Sequence, residues 1–136
     1  MQTADLRSRF ASRAVARLAT VRPDGAPHVV PVVFALVGGT VYSAVDAKPN
    51  RTRRLQRLAN VRADPRCSLL VDHYEDDWSR LWWVRAQLLV QPQAGPAVVA
   101  GLSERLAGAY AQYRDQPFES VMVLRVVAVT GWSAAP

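Results

Sequence analysis

Three apolar runs joined by two tight-turn signals constrain the fold of this chain more than any other feature. Arg17-Leu18-Ala19-Thr20-Val21 reads as a strand, and Pro23-Asp24-Gly25-Ala26 reads as a turn. His28-Val29-Val30-Pro31-Val32-Val33-Phe34-Ala35-Leu36 reads as the strand that returns beside the first. Gly38-Gly39 then turns the chain into Thr40-Val41-Tyr42-Ser43-Ala44-Val45. The pattern predicts a three-stranded antiparallel meander, which must bury one face against something else.

The remaining segments supply what covers it. Residues 4–13 predict a short amphipathic helix with Leu6, Phe10 and Val15 on one side. A second helix runs from Arg51 to about Asn60, with Leu55, Leu58 and Ala59 inward, and Ala63-Asp64-Pro65 stops it. Strands follow at Arg66–Val71 and Trp82–Val90, separated by the polar loop 72–80. Val98, Leu102, Leu106, Ala109 and Tyr113 recur at helical spacing, and a last strand spans Val121–Trp132, apolar on both faces at 121–124 and therefore covered on both. Six strands joined mostly by short turns, with two or three helices, predict a mainly β fold with flanking helices: a small closed β-barrel rather than a doubly wound sheet. At 136 residues, half of them hydrophobic, the chain is one domain, 1–136, able to bury a core without staples. It contains neither a glycine-rich dinucleotide fingerprint nor a P-loop.

The charge is uneven in meaning. The net charge is +6, which favours an anionic ligand, but sixteen of the seventeen basic residues are arginine, so part of the basicity reflects high-GC codon usage. The concentrated part is Lys48-Pro49-Asn50-Arg51-Thr52-Arg53-Arg54, where a strand end, a turn and a helix start coincide. Pro49 restricts Lys48 to extended backbone and Asn50 is a good helix N-cap. Free amide groups and the positive end of the helix dipole then attract an anion, so the segment reads as a phosphate seat. A solvated arginine-rich helix face is the alternative.

Elsewhere the residues carry little chemistry. The single cysteine, Cys67, lies in a strand-like run, which excludes a disulfide framework, suits a cytoplasmic protein and reads as a small buried apolar residue. No leader or membrane-spanning stretch is expected. His28 reads as a hydrogen-bonded structural histidine. His73 has Asp72, Asp76 and Asp77 nearby but no ligand spacing specific to a metal, and none is expected. No catalytic triad is present, and no catalytic residue is assigned; Tyr74 is the one candidate to protonate a product.

Leu18-Ala19-Thr20-Val21-Arg22-Pro23-Asp24-Gly25-Ala26-Pro27-His28-Val29-Val30-Pro31-Val32, the Lys48–Thr52 seat, and Asn60-Val61-Arg62-Ala63-Asp64-Pro65-Arg66 together resemble the pyridoxamine 5'-phosphate oxidase-like flavoproteins. The resemblance covers nearly the whole chain. The segment 71–85, from Val71-Asp72-His73 to Trp82-Trp83-Val84-Arg85, and the closing Thr130-Gly131-Trp132-Ser133 resemble the actinobacterial coenzyme F420-dependent subgroup. This resemblance implies a six-stranded split β-barrel of the FMN-binding type and a homodimer with cofactor at the subunit interface. By the same similarity Pro31 and Val32 pass along the ring system, Ser43 lies near the ribityl or phosphate portion, and Lys48, Arg51 and Thr52 hold the phosphate. Trp78 reaches over from the other subunit. Arg53, Arg54 and Arg57 are candidates for the acidic tail of F420.

The implied activity is hydride transfer between the deazaflavin F420 and an unsaturated or oxidised small molecule. FMN is the alternative cofactor. A split barrel that carries a deazaflavin, flavin or tetrapyrrole without catalysis is the alternative from a different class. Nucleic-acid binding through the arginine-rich helix ranks last, and no membrane partner is expected. The chain departs from the family pattern at Ala86-Gln87-Leu88-Leu89, where relatives carry a glycine-containing stretch, and this alters the expected substrate-side wall.

Overall fold

The computed structural model describes residues 3–13, 15–46, 51–92, 100–101, 104 and 118–135, and the side chains of all of these but 3–4, 44–46, 51–55 and 118–120. In chain order the elements are α1 (Thr3–Ala11), β1 (Val15–Val21), β2 (Pro27–Val37), β3 (Thr40–Asp46), α2 (Arg51–Ala63), β4 (Arg66–His73), β5 (Trp82–Val90) and β6 (Phe118–Ser133). A single 3-10 turn, Trp78–Arg80, lies between β4 and β5. The six strands close a barrel in the order β1-β2-β3-β6-β5-β4, every neighbouring pair antiparallel.

The expected meander is present. Its turns place Gly25 at φ 89° and Gly38 at φ 61°, in the left-handed region that glycine enters without strain. The barrel closes where β1 meets β4, from Arg17↔Leu70 to Ala19↔Ser68. The 16-residue β6 does double duty: residues 118–125 pair with β3, and 124–133 pair with β5. Val121, Met122 and Leu124 are all buried, so the run expected to be covered on both faces is so covered.

Alternation fills the interior. Ala16, Leu18, Val32, Phe34, Leu69, Val71, Val84, Ala86 and Leu88 face one another across the barrel. α1 lies over one mouth, burying Leu6 and Phe10, whose ring meets Phe34 with centroids 5.0 Å apart. Nine residues make a marginal helix in water, so docking of these side chains stabilises it. Its approach depends on Gly131, where an added Cβ would sit 2.5 Å from Leu6 Cδ2 and 2.8 Å from the Trp83 carbonyl oxygen.

Two expectations change. Val15 does not share the apolar side of α1: the helix ends at Ala11, and Val15 opens β1 with its side chain 43% exposed on the outer surface. Ala59 points out of α2, because the face turned to β1 carries Asn60 and Val61, with Leu58 partly buried beside them; the side chain of Leu55 lies outside the described residues. The helix expected over 98–113 falls mostly outside them as well. No described helix is long and apolar enough to cross a membrane.

Candidate functional site

Antiparallel order sends the strand ends to two opposite mouths. The β1–β2 turn, the end of β3, the start of α2 and the start of β4 share one mouth. The β2–β3 turn, the β4–β5 connection and the end of β6 share the other.

At the first mouth β3 ends at Asp46 and α2 begins at Arg51 with no acidic residue in its first turn. Lys48 lies outside the described residues, as do the side chains of Arg51 and Thr52. What fixes α2 here is a buried polar chain. Gln56 Nε2 donates to Asn60 Oδ1 at 2.7 Å, and Asn60 Nδ2 donates to Thr20 Oγ1 at 3.0 Å, with Asn60 and Thr20 both almost wholly shielded from water. In the sequence Asn60 stands only at a helix end; its burial has no signal in local periodicity, since it interrupts an apolar face. Just past α2, Asp64 accepts from the backbone, Nε and Nη2 of Arg66 at 3.1, 3.0 and 2.8 Å. These hydrogen bonds lower its carboxyl pKa to about 2. Asp64 is thus ionised and engaged by Arg66.

His28 is the Cα partner of Thr20. The expected hydrogen-bonded histidine differs from what the structure shows: the Nδ1 of His28 is buried without a hydrogen-bond partner. Pro31 and Val32 are neighbours on β2, the first exposed and the second buried. Ser43 is fully buried on β3 opposite Phe34, and its Oγ donates to the Val33 carbonyl at 3.1 Å. Pro31, Val32 and Ser43 therefore lie on adjacent strands that lead towards α2.

Trp78 belongs to the opposite mouth. It is 68% exposed on the 3-10 turn, which Asp77 caps by accepting from Ser79 N at 3.1 Å and Ser79 Oγ at 2.6 Å. These bonds lower the Asp77 pKa. Within one chain, then, Trp78 and the start of α2 lie at opposite mouths.

At the same mouth is an open cleft of about 350 Å³ whose walls include Leu70, Asp72, Tyr74, Trp83, Arg85 and Trp132. Register explains it: Asp72, Trp83 and Trp132 are consecutive cross-strand partners on the outer face of β4, β5 and β6. The Arg85 guanidinium lies over the Trp83 ring, 5.2 Å from its centroid. The tryptophans were visible in the sequence; the cleft they form with Leu70 and Asp72 required the strand register.

The sequence matches the family described as pyridoxamine 5'-phosphate oxidase over residues 3–133. The chain belongs to the pyridoxamine 5'-phosphate oxidase family. Among solved structures, a conserved hypothetical protein, Rv2991, from Mycobacterium tuberculosis is 26% identical with a TM-score of 0.74, over 98% of this chain and 86% of that one. A protein named F420 reductase is 22% identical with a TM-score of 0.65, over 91% of this chain and 94% of the other. An FAD-binding protein from Mesorhizobium loti is 17% identical with a TM-score of 0.71, covering 96% and 92%. Others with the fold are named for binding FMN and for binding or storing heme. No curated protein matches the sequence. Proteins with this barrel thus include ones named for different ligands, and the fold alone does not choose among them.

Proposed function

We propose that this chain is an oxidoreductase that holds a phosphate-bearing flavin-type cofactor, coenzyme F420 in the first place and FMN in the second, between two copies of its barrel. The observation that carries the reading is the delivery of β3 to the N-terminus of a 13-residue helix whose first turn is free of acidic residues, next to the sequence Lys48-Pro49-Asn50-Arg51-Thr52. The buried, unpartnered Nδ1 of His28 is a further polar group at that mouth suited to a ligand atom.

Lys48, Arg51 and Thr52 would hold the phosphate by charge-assisted and hydroxyl hydrogen bonds. Pro31 and Val32 would lie along the ring system, with Ser43 behind them. Because Trp78 sits at the opposite mouth, its expected contact with the cofactor requires the second subunit, and the aromatic cleft offers an apolar surface against which a planar molecule can stack. The bound cofactor supplies the hydride; the chain binds, orients and excludes water. The arginine excess of α2 suits the carboxylate tail of F420, which FMN lacks.

Equilibrium binding of F420 and of FMN, side by side, tests this. Tight binding of either one, lost on joint replacement of Lys48 and Arg51 by alanine with the circular dichroism unchanged, supports the seat. Unchanged affinity in the double variant would sink it. Binding of heme alone, with no flavin-type ligand retained, would favour the non-catalytic carrier.

A further inference from the structure

A chain of contacts beside the aromatic cleft has no part in holding the phosphate. Arg13, just beyond α1, donates through Nη2 to His73 Nδ1 at 3.2 Å. The other ring nitrogen, Nε2, meets Glu75 Oε2. The second oxygen of Glu75 lies 3.5 Å from Nε of Arg80, which belongs to the turn that carries Trp78. Trp82, the Cα partner of His73, lies under two guanidinium groups, Arg9 at 5.3 Å and Arg13 at 5.1 Å from its ring centroid. The His73 ring stacks on the same indole, 6.5 Å between centroids and 20° between planes.

These partners fix the state of the imidazole. A guanidinium has donors and no acceptor, so Nδ1 must present a lone pair to Arg13. The neutral ring then carries its proton on Nε2, where the Glu75 carboxylate accepts it. We propose that His73 is a positioning residue of the aromatic cleft: its neutral Nε2–H form ties α1, Trp82 and the 74–80 connection together, and protonation opens the Arg13 side of this tie. The link to cofactor retention rests on the proposed function; the state of the ring does not.

Protonation puts a hydrogen on Nδ1, facing a group that can only donate. A hydrogen bond becomes a like-charge contact, with Arg9 adding a second cation over the same indole. On the other side the imidazolium binds Glu75 more strongly and competes with Arg80 for it. The charged groups facing the ring are Arg9 and Arg13 from the α1 side and Glu75 from the connection, with Arg80 behind Glu75. Asp72 lies on the opposite face of β4, Asp76 is exposed, and Asp77 is engaged by Ser79. Loss of Arg13 therefore frees Trp82 and the wall beside it.

All four tryptophans of the chain, at 78, 82, 83 and 132, lie at this mouth, so intrinsic emission reads it directly. Ring nitrogen-15 spectra at about pH 7.5 should show His73 bare at Nδ1 and protonated at Nε2, with His73→Gln assigning it against His28. Glutamine supplies one acceptor and one donor but cannot titrate. Acidification should shift wild-type emission at constant far-ultraviolet circular dichroism, while His73→Gln stays flat. F420 or FMN affinity should fall on the same acidification about fivefold further in the wild type than in His73→Gln. The opposite tautomer, an imidazolium at pH 7.5, or an emission shift that survives in His73→Gln would overturn the proposal, and so would equal pH dependence of affinity in both proteins. Failure of both cofactors to bind at any pH would instead overturn the function reading, leaving the tautomer and emission to decide the role of His73.

Discussion

Cys67 shows what a single side chain can settle. It is buried in β4 between interior neighbours, and its Sγ approaches the Leu88 carbonyl at 3.9 Å. Burial first, and the Asp64 carboxylate second, push its pKa up to about 12 from an ordinary 9.0. A thiolate is the reactive form, so this residue is no nucleophile at neutral pH. The sign of the linkage is fixed: between those two values the unfolded chain loses the proton and the folded chain keeps it, so stability falls as pH rises. The expected loss from this group is at most about 1.4 kcal/mol per pH unit. Urea unfolding across the alkaline range should show a shallower decline in Cys67→Ala, and an identical slope would contradict the assignment. The burial of Cys67 was legible from its alternation with Leu69 and Val71. The unpartnered Nδ1 of His28 was not, since alternation along a strand shows which residues turn inward but not which polar atoms meet them there.

Elements are positioned by contacts that local pattern does not display. α2 is tied to β1 where the Asn60 amide donates to the Thr20 hydroxyl. Removing that amide leaves the shielded Thr20 hydroxyl and the Gln56 amide without their partner. Asn60→Ala should therefore destabilise the protein by about 1–3 kcal/mol in urea unfolding. Gln56→Ala, at the half-buried end of the chain, should cost less; equal effects would mean that the network is not graded by burial. The strands, both glycine turns and the start of α2 at Arg51 were all readable from turn chemistry and alternation. The orientation of α2 was not: hydrophobicity put Ala59 inward, whereas a polar residue with two partners outweighs a methyl group in choosing the buried face.

At the scale of the whole molecule, closure decides what one chain can and cannot do. The β1–β4 pairing that makes the barrel joins segments far apart in sequence, so no local signal announces it; only the count of strands and short connections pointed there. The same closure sends Trp78 and the start of α2 to opposite mouths, so a site built from both needs a second copy. The outer face of β1 and β2 suits that partner. Register places Val15 and Val33, Arg17 and Pro31, and Ala19 and Val29 side by side on it, with Val15 43% and Val29 60% exposed. An exposed strip on a sheet exterior that is apolar except for Arg17 can serve as an interaction surface, and a self-complementary contact about a two-fold axis uses the same strip twice. Val29→Glu would then bring two carboxylates together at that axis. It should convert a dimer to a monomer by light scattering at micromolar concentration, leave the far-ultraviolet circular dichroism unchanged, and abolish retention of F420 or FMN. A wild-type monomer that retains cofactor would remove the need for Trp78 in trans, and a dimeric Val29→Glu would move the interface elsewhere on the barrel.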